Sequence, residues 1–180
     1  MNEQNQLLKT EGIIASSSAI CSANFTQLKA VSLWEPWATG MALNLKRNET
    51  RSWPTAYRGP LAICSAKRPL DQVGLAVARE NGISLHALRF GCVLCVVELF
   101  DCVKAEVFLS GMLELTEQEQ ALGNYTYGRW IWRTRNCRPL ETPVPVIGRQ
   151  GFWTLPPETV ALINANLSND GAMPRRQTEK

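Results

Sequence analysis

The chain has 180 residues, of which 45% are hydrophobic and 19% charged, with a formal net charge of +3. That is enough apolar material for one sizeable core, and no second composition-defined block is long enough to fold separately, so length and composition agree with one domain. A charge this small also excludes bulk basicity as grounds for nucleic-acid binding, and the case has to rest on where the charges sit.

Residues 1–26 are rich in Asn, Gln, Ser and Ala and read as a polar N-terminal extension. The apolar run GIIASSSAICSA within them lacks the basic cluster of an export leader, and nothing further along is long and apolar enough to span a bilayer. The expectation is a cytoplasmic protein without membrane association. A folded domain is expected over 27–156, a C-terminal helix over 157–167 and a polar tail over 168–180.

Residues 32–67 concentrate aromatic rings, bases and one acid in a single segment. Pro36 suits the first turn of a helix, and Trp37, Met41 and Leu45 recur on one face, which predicts a helix from Pro36 to about Leu43. Asn44 then sits where a chain leaving a helix needs positive φ. This holds Lys46 at a turn. Glu49 and Arg51, two apart in the following strand, project to the same side. With Trp34, Trp37, Trp53 and Tyr57 around them, these groups suit a pocket for something flat and anionic. A structural ion pair at a barrel mouth fits the spacing equally well.

Beyond the turn at Arg58, Gly59 and Pro60, Leu61 to Ala66 reads as a strand and Leu70 to Glu80 as a helix closed by Gly82. Cys92 to Val103 reads as a long central strand. Short helices follow at Ala105 to Leu109 and Thr116 to Leu122, then strands at Gly128 to Arg133 and Gly151 to Leu155, and a helix from Pro157 to Leu167. Trp130 and Trp132 alternate onto one strand face, more consistent with core than with a ligand platform. This order predicts an α+β fold, a small barrel of mixed sheet with short helices around it, and argues against a doubly wound sheet.

Cys92 and Cys95 form a C-x-x-C, but their offset in a strand sends them to opposite faces, so no metal site is expected. With His86 the single histidine, Ser-His and Cys-His catalysis is disfavoured. Cys64 is the thiol expected to border the pocket. Bases gather in residues 45–70 and 128–149, and the acids Glu98, Asp101, Glu106, Glu114, Glu117 and Glu119 lie between them. That order predicts a polarised molecule with one basic side.

Asn44 to Arg51 resembles the motif Gly-x-Lys-x-x-Glu-x-Arg of the ASCH family, relatives of the PUA RNA-binding domains. The blocks SLWEPWA, YRGPLAI, GCVLCVVELFDC, GRWIWRTRNCRPL and PVIGRQGFW are similar to successive blocks of bacterial and phage ASCH proteins, and the resemblance covers roughly residues 29–155. Asn44 replaces the family's usual Gly, and Cys64 stands where many members carry His. The resemblance implies a PUA-like barrel, a prokaryotic or phage setting and RNA-related binding.

Two function classes follow, neither with a cofactor. In the first, a module for RNA or a nucleotide, Lys46, Arg51 and Arg58 hold phosphate, a ring of Trp34, Trp37, Trp53 or Tyr57 stacks a base, and Glu49 reads an amine or orients Arg51. Cys64, Lys67, Arg149 and Gln150 complete the expected rim. In the second, a small hydrolase, Lys46 serves as base or nucleophile and Glu49 moves protons, with Glu98 as partner. The family includes an amidohydrolase acting on acetylated cytidine and ribonucleases. In the amidohydrolases the position of Glu49 looks to be Thr, so binding ranks first. A protein-interaction domain with a vestigial pocket is the third reading, its protein partner unknown.

Overall fold

The computed structural model describes residues 24–169. Nearly all of the expected N-terminal extension and C-terminal tail lies outside that range. Six strands, β1 (Lys29–Leu33), β2 (Asn48–Arg51), β3 (Gly59–Ser65), β4 (Cys92–Lys104), β5 (Trp130–Pro145) and β6 (Phe152–Thr154), form one sheet in the order β2-β5-β4-β3-β1-β6. Only β1 and β3 pair in parallel, and every other neighbouring pair is antiparallel. The mixed sheet curls into a half-barrel, giving the α+β architecture expected from the element order.

The middle strands are apolar without alternation because both of their faces are covered. All of Leu61–Ser65 and all of Cys92–Val97 are buried. On one face the C-terminal helix α5 (Pro157–Asn169) presents Val160, Ile163 and Leu167 at helical spacing to Phe25, Leu28, Val96 and Val144. On the other, Ala38 and Met41 of the short helix α1 (Trp37–Ala42) meet Val31, Leu61, Leu99 and Trp132. Trp132 is fully buried, as its alternation with Trp130 implied, and truncating such a residue costs about 3–5 kcal/mol.

Local chemistry fixes the remaining elements. The Glu35 carboxylate accepts from the Thr39 amide at 3.0 Å and the Thr39 hydroxyl at 2.9 Å, satisfying an otherwise free amide in the buried first turn of α1. Asn44 takes φ 58°, as expected, and Leu45 and Lys46 donate their amides back to the Gly40 carbonyl. The helices α2 (Gln72–Glu80) and α4 (Glu117–Ala121) are N-capped by Asp71 and Thr116, and α3 (Glu106–Leu109) lies between them in the chain.

Two expectations need correction. The strand expected at 128–133 continues to Pro145, passing through Asn136 at φ 53° and several register shifts against β4. Those irregularities break the two-residue alternation that marks a strand in sequence. The molecule is also less polarised than the charge blocks implied. The β4–β5 register sets Glu98 opposite Arg135 and Asp101 across from Arg133, with ion pairs of 2.7 and 3.2 Å, and Arg58 adds a third at 3.6 Å from Asp101. Acidic and basic blocks therefore interleave on adjacent strands. Among the described residues no group of three or more ligating side chains is placed to hold a metal, and no helix is long and apolar enough to cross a membrane.

Candidate functional site

A cleft of about 560 Å³ opens between the end of β1, the start of α1, strand β2 and the 121–124 segment at the end of α4. Lys46 forms part of its wall at 2% exposure, an expensive position for an ammonium unless it is paired and hydrogen-bonded. The turn at Asn44 aims the side chain so that Nζ donates to the Asn48 carbonyl and lies 3.3 Å from Glu49 Oε2. The other carboxylate oxygen, Glu49 Oε1, is 3.0 Å from Arg51 Nε. Arg51 Nη2 then donates to the Ser32 carbonyl at 3.1 Å. Since β2 is one end of the sheet and β1 lies next to the other, this bond spans the open seam of the half-barrel.

Strand β2 is anchored from behind. The buried Glu119 carboxylate accepts from the amides of Arg47 at 2.8 Å and Asn48 at 2.9 Å and from the Tyr125 hydroxyl at 3.0 Å. Burial pushes the Tyr125 phenol well up, and the adjacent Glu119 carboxylate pushes it further, which keeps the hydroxyl a donor. On the next turn of chain, Asn124 donates its amide to Thr50 Oγ1 at 3.1 Å, and Arg129 Nη2 donates to the Thr50 carbonyl at 2.8 Å. These bonds set the floor on which Lys46, Glu49 and Arg51 are displayed.

The three indoles of the expected pocket all line the cleft, in different ways. Trp34 is 54% exposed, with the Arg68 guanidinium 3.6 Å over its ring. Trp53 meets the buried Trp132 edge-on, centroids 4.6 Å apart, while Trp132 Nε1 donates to the Trp53 carbonyl. Trp37 packs against two hydrophobic clusters and fastens α1 to the sheet.

The other expected site residues lie outside the lining. Tyr57 packs on Phe152 at 5.0 Å and donates its hydroxyl to the Pro60 carbonyl. Arg58 pairs with Asp101 and donates to the carbonyls of Thr55 and Tyr57. Cys64 does not border the cleft. It is fully buried in the cluster that includes Val93 and Val96, and desolvation pushes its thiol up to about 12. Lys67 is exposed near Gly91. Arg149 lies 6.0 Å over the Trp153 ring and Gln150 is exposed, though their turn approaches β1 closely enough that a Cβ on Gly148 would meet Ser32 Oγ at 2.9 Å. Glu98, the proposed proton-transfer partner, is absent from the lining. Arg135 holds its carboxyl below the usual range, with Asn136 as a further donor.

Sequence reasoning missed Arg129, Asn124 and the buttress Glu119. Arg129 and Asn124 line the cleft with the motif residues although more than seventy positions separate them from β2. The only trace of Arg129 in the sequence was its place at the start of the second basic block.

No family model matches the sequence. The chain is 26% identical over 133 residues to activating signal cointegrator 1 of Mus musculus, and equally to that of Homo sapiens, an alignment covering 69% of this chain and 22% of each relative. It thus spans about a fifth of the length of these relatives. Among solved structures, ASCH from Zymomonas mobilis aligns at a TM-score of 0.49 with 16% identity, over 78% of this chain and 96% of that one.

Proposed function

We propose that this chain carries an ASCH domain and that its cleft binds single-stranded nucleic acid, RNA above all, or a nucleotide. The kinship of ASCH domains with PUA modules supports RNA as the ligand class. The observation that carries the reading is the run Lys46, Glu49 and Arg51 displayed beside Trp34 and Trp53 in one cleft. Cations next to indole faces suit a phosphate and a base together, the recurring arrangement of single-strand recognition. Glu49, which lies between Lys46 and Arg51, orients Arg51 and offers its carboxyl oxygens to an exocyclic amine. The hydrolase reading draws no support from Glu98, which Arg135 and Asn136 engage away from the cleft.

The test is a titration of short single-stranded RNA and DNA at two salt concentrations against wild type and Trp34→Ala. Trp34 is chosen because its exposure lets the variant fold. Binding is expected to weaken with salt by about 0.7 in log K per log unit for each phosphate neutralised. Losing one stacked base should cost about 1–3 kcal/mol, or roughly five- to 150-fold in affinity. Absence of binding by folded wild type would overturn the reading, and cleavage of the RNA would return the site to the hydrolases.

A further inference from the structure

The cleft contains more positive charge than its own carboxylate answers. Lys46, Arg51 and Arg129 line it against the single acid Glu49. The buried acid Glu119 is behind β2 and occupied by the Arg47 and Asn48 amides and the Tyr125 hydroxyl. Lys46 is buried and Arg51 and Arg129 are half-buried, and cations withdrawn from water are ordinarily paired, so an excess here points to an anion supplied from outside.

The donors agree with the charge count. Arg51 Nε and Arg129 Nε are both buried and make no hydrogen bond; Arg51 Nε is close to Glu49 Oε1 but not aligned to donate to it. Each guanidinium uses Nη2 on a backbone carbonyl, Arg51 on Ser32 and Arg129 on Thr50, which fixes its plane and leaves further N–H groups for a ligand. Two guanidinium groups with fixed planes and an ammonium beside them suit a tetrahedral oxyanion, which arginine engages in bidentate fashion. A diester in a nucleic-acid backbone carries one negative charge, whereas a phosphomonoester carries about −1.5 to −2 near neutral pH.

We infer that the cleft receives a phosphomonoester, the terminal phosphate of a strand or of a mononucleotide, and that Arg129 is the residue that distinguishes it from a backbone diester. This rests on the nucleic-acid reading above and narrows it from any strand to one bearing a free phosphate end. Arg129 stands outside the Lys-Glu-Arg octet and enters the cleft from the start of β5, so motif residues alone do not define the site.

The experiment compares one short RNA sequence in three forms, 5′-phosphorylated, 3′-phosphorylated and unphosphorylated, together with the corresponding mononucleotides and inorganic phosphate. Affinities are measured for wild type, Arg129→Gln and Arg129→Lys, with folding checked by circular dichroism. One phosphorylated form is expected to bind wild type about ten- to hundredfold more tightly than the unphosphorylated strand. That ratio should fall to near one in Arg129→Gln, and Arg129→Lys should recover part of it, which also covers the case in which the glutamine variant fails to fold. Which form gains identifies the source, a strand end or a free nucleotide. Equal binding of all three RNA forms by wild type would overturn the inference while leaving the nucleic-acid reading standing. A ratio that survives in both variants would remove Arg129 from the role. No binding of any strand or nucleotide would end both.

Discussion

Two hollows of this molecule are lined by arginine, and they differ in how the arginines are answered. In the cleft, Lys46 and Arg51 share Glu49, while Arg129 donates to the Thr50 carbonyl. In the second, a hollow of about 590 Å³ on the other side of β2, Arg133 and Arg135 lie 5.0 and 4.9 Å from the Phe100 ring and are each matched by an acid, Asp101 and Glu98. Both regions look basic when residues are counted along the chain. The two β5 arginines of the second hollow are engaged in pairing their strand to β4, although the exposed Arg47 also lines it, whereas both arginines of the cleft keep an Nε–H without a hydrogen bond. The count of bases near a hollow therefore says less than the count of acids already engaged with them.

The comparison breaks first at Glu49. Glu49→Gln would leave the Lys46 ammonium buried without its counter-charge, and removing one partner of such a pair is expected to cost about 3–5 kcal/mol. A urea midpoint that scarcely moves would show that the cleft is as solvent-screened as the second hollow, and the contrast would fall.

A pH titration sharpens it. Arg135 lowers the folded-state pKa of Glu98, so its contribution to stability is present above the usual 4.5 and is lost as pH falls through the lowered value. Glu35, which caps α1 beside Trp34, behaves in the opposite sense, because burial raises its pKa above 4.5. Its desolvation penalty is present at neutral pH and is relieved as pH falls through the raised value. Relative to Glu98→Gln, wild type should lose its advantage in acid. Relative to Glu35→Gln, it should gain. Chemical denaturation at a series of pH values reads both slopes, and slopes of the same sign would contradict the assignment.

The smallest effect is expected at Arg135→Ala. Its pair with Glu98 is 45% exposed on the arginine side, where solvent screens it, so the urea midpoint should scarcely move. Affinity for single-stranded RNA should stay within about twofold of wild type by the same reasoning. A tenfold loss would promote the second hollow to a binding surface.

The sequence made local features legible and long-range ones not. Asn44 at positive φ, the shared side of Glu49 and Arg51 and the burial of Trp132 follow from turn chemistry and strand alternation, which act over a few residues. The Lys46 ladder was therefore readable, as was the order of elements that makes a mixed sheet. Arg129 and Asn124 reach Thr50 only because β5 pairs with β2 across a long stretch of chain. The neutralisation of Arg133 and Arg135 depends on the β4–β5 register, which shifts repeatedly and which block composition does not encode. Cys64 was placed at the rim by its neighbours in sequence, whereas the β3 side-chain direction takes it into the core.

The bond from Arg51 to the Ser32 carbonyl gives one side chain two masters. It helps present charge to the cleft and it latches the end of the sheet to a strand near the opposite end. Drift at this position is thereby constrained twice, since a replacement that preserves recognition must also preserve closure. A mutational screen scored only by ligand capture would not tell the two apart at Arg51, whereas scoring the same library for folded protein would separate positions that serve the ligand from the one that serves both.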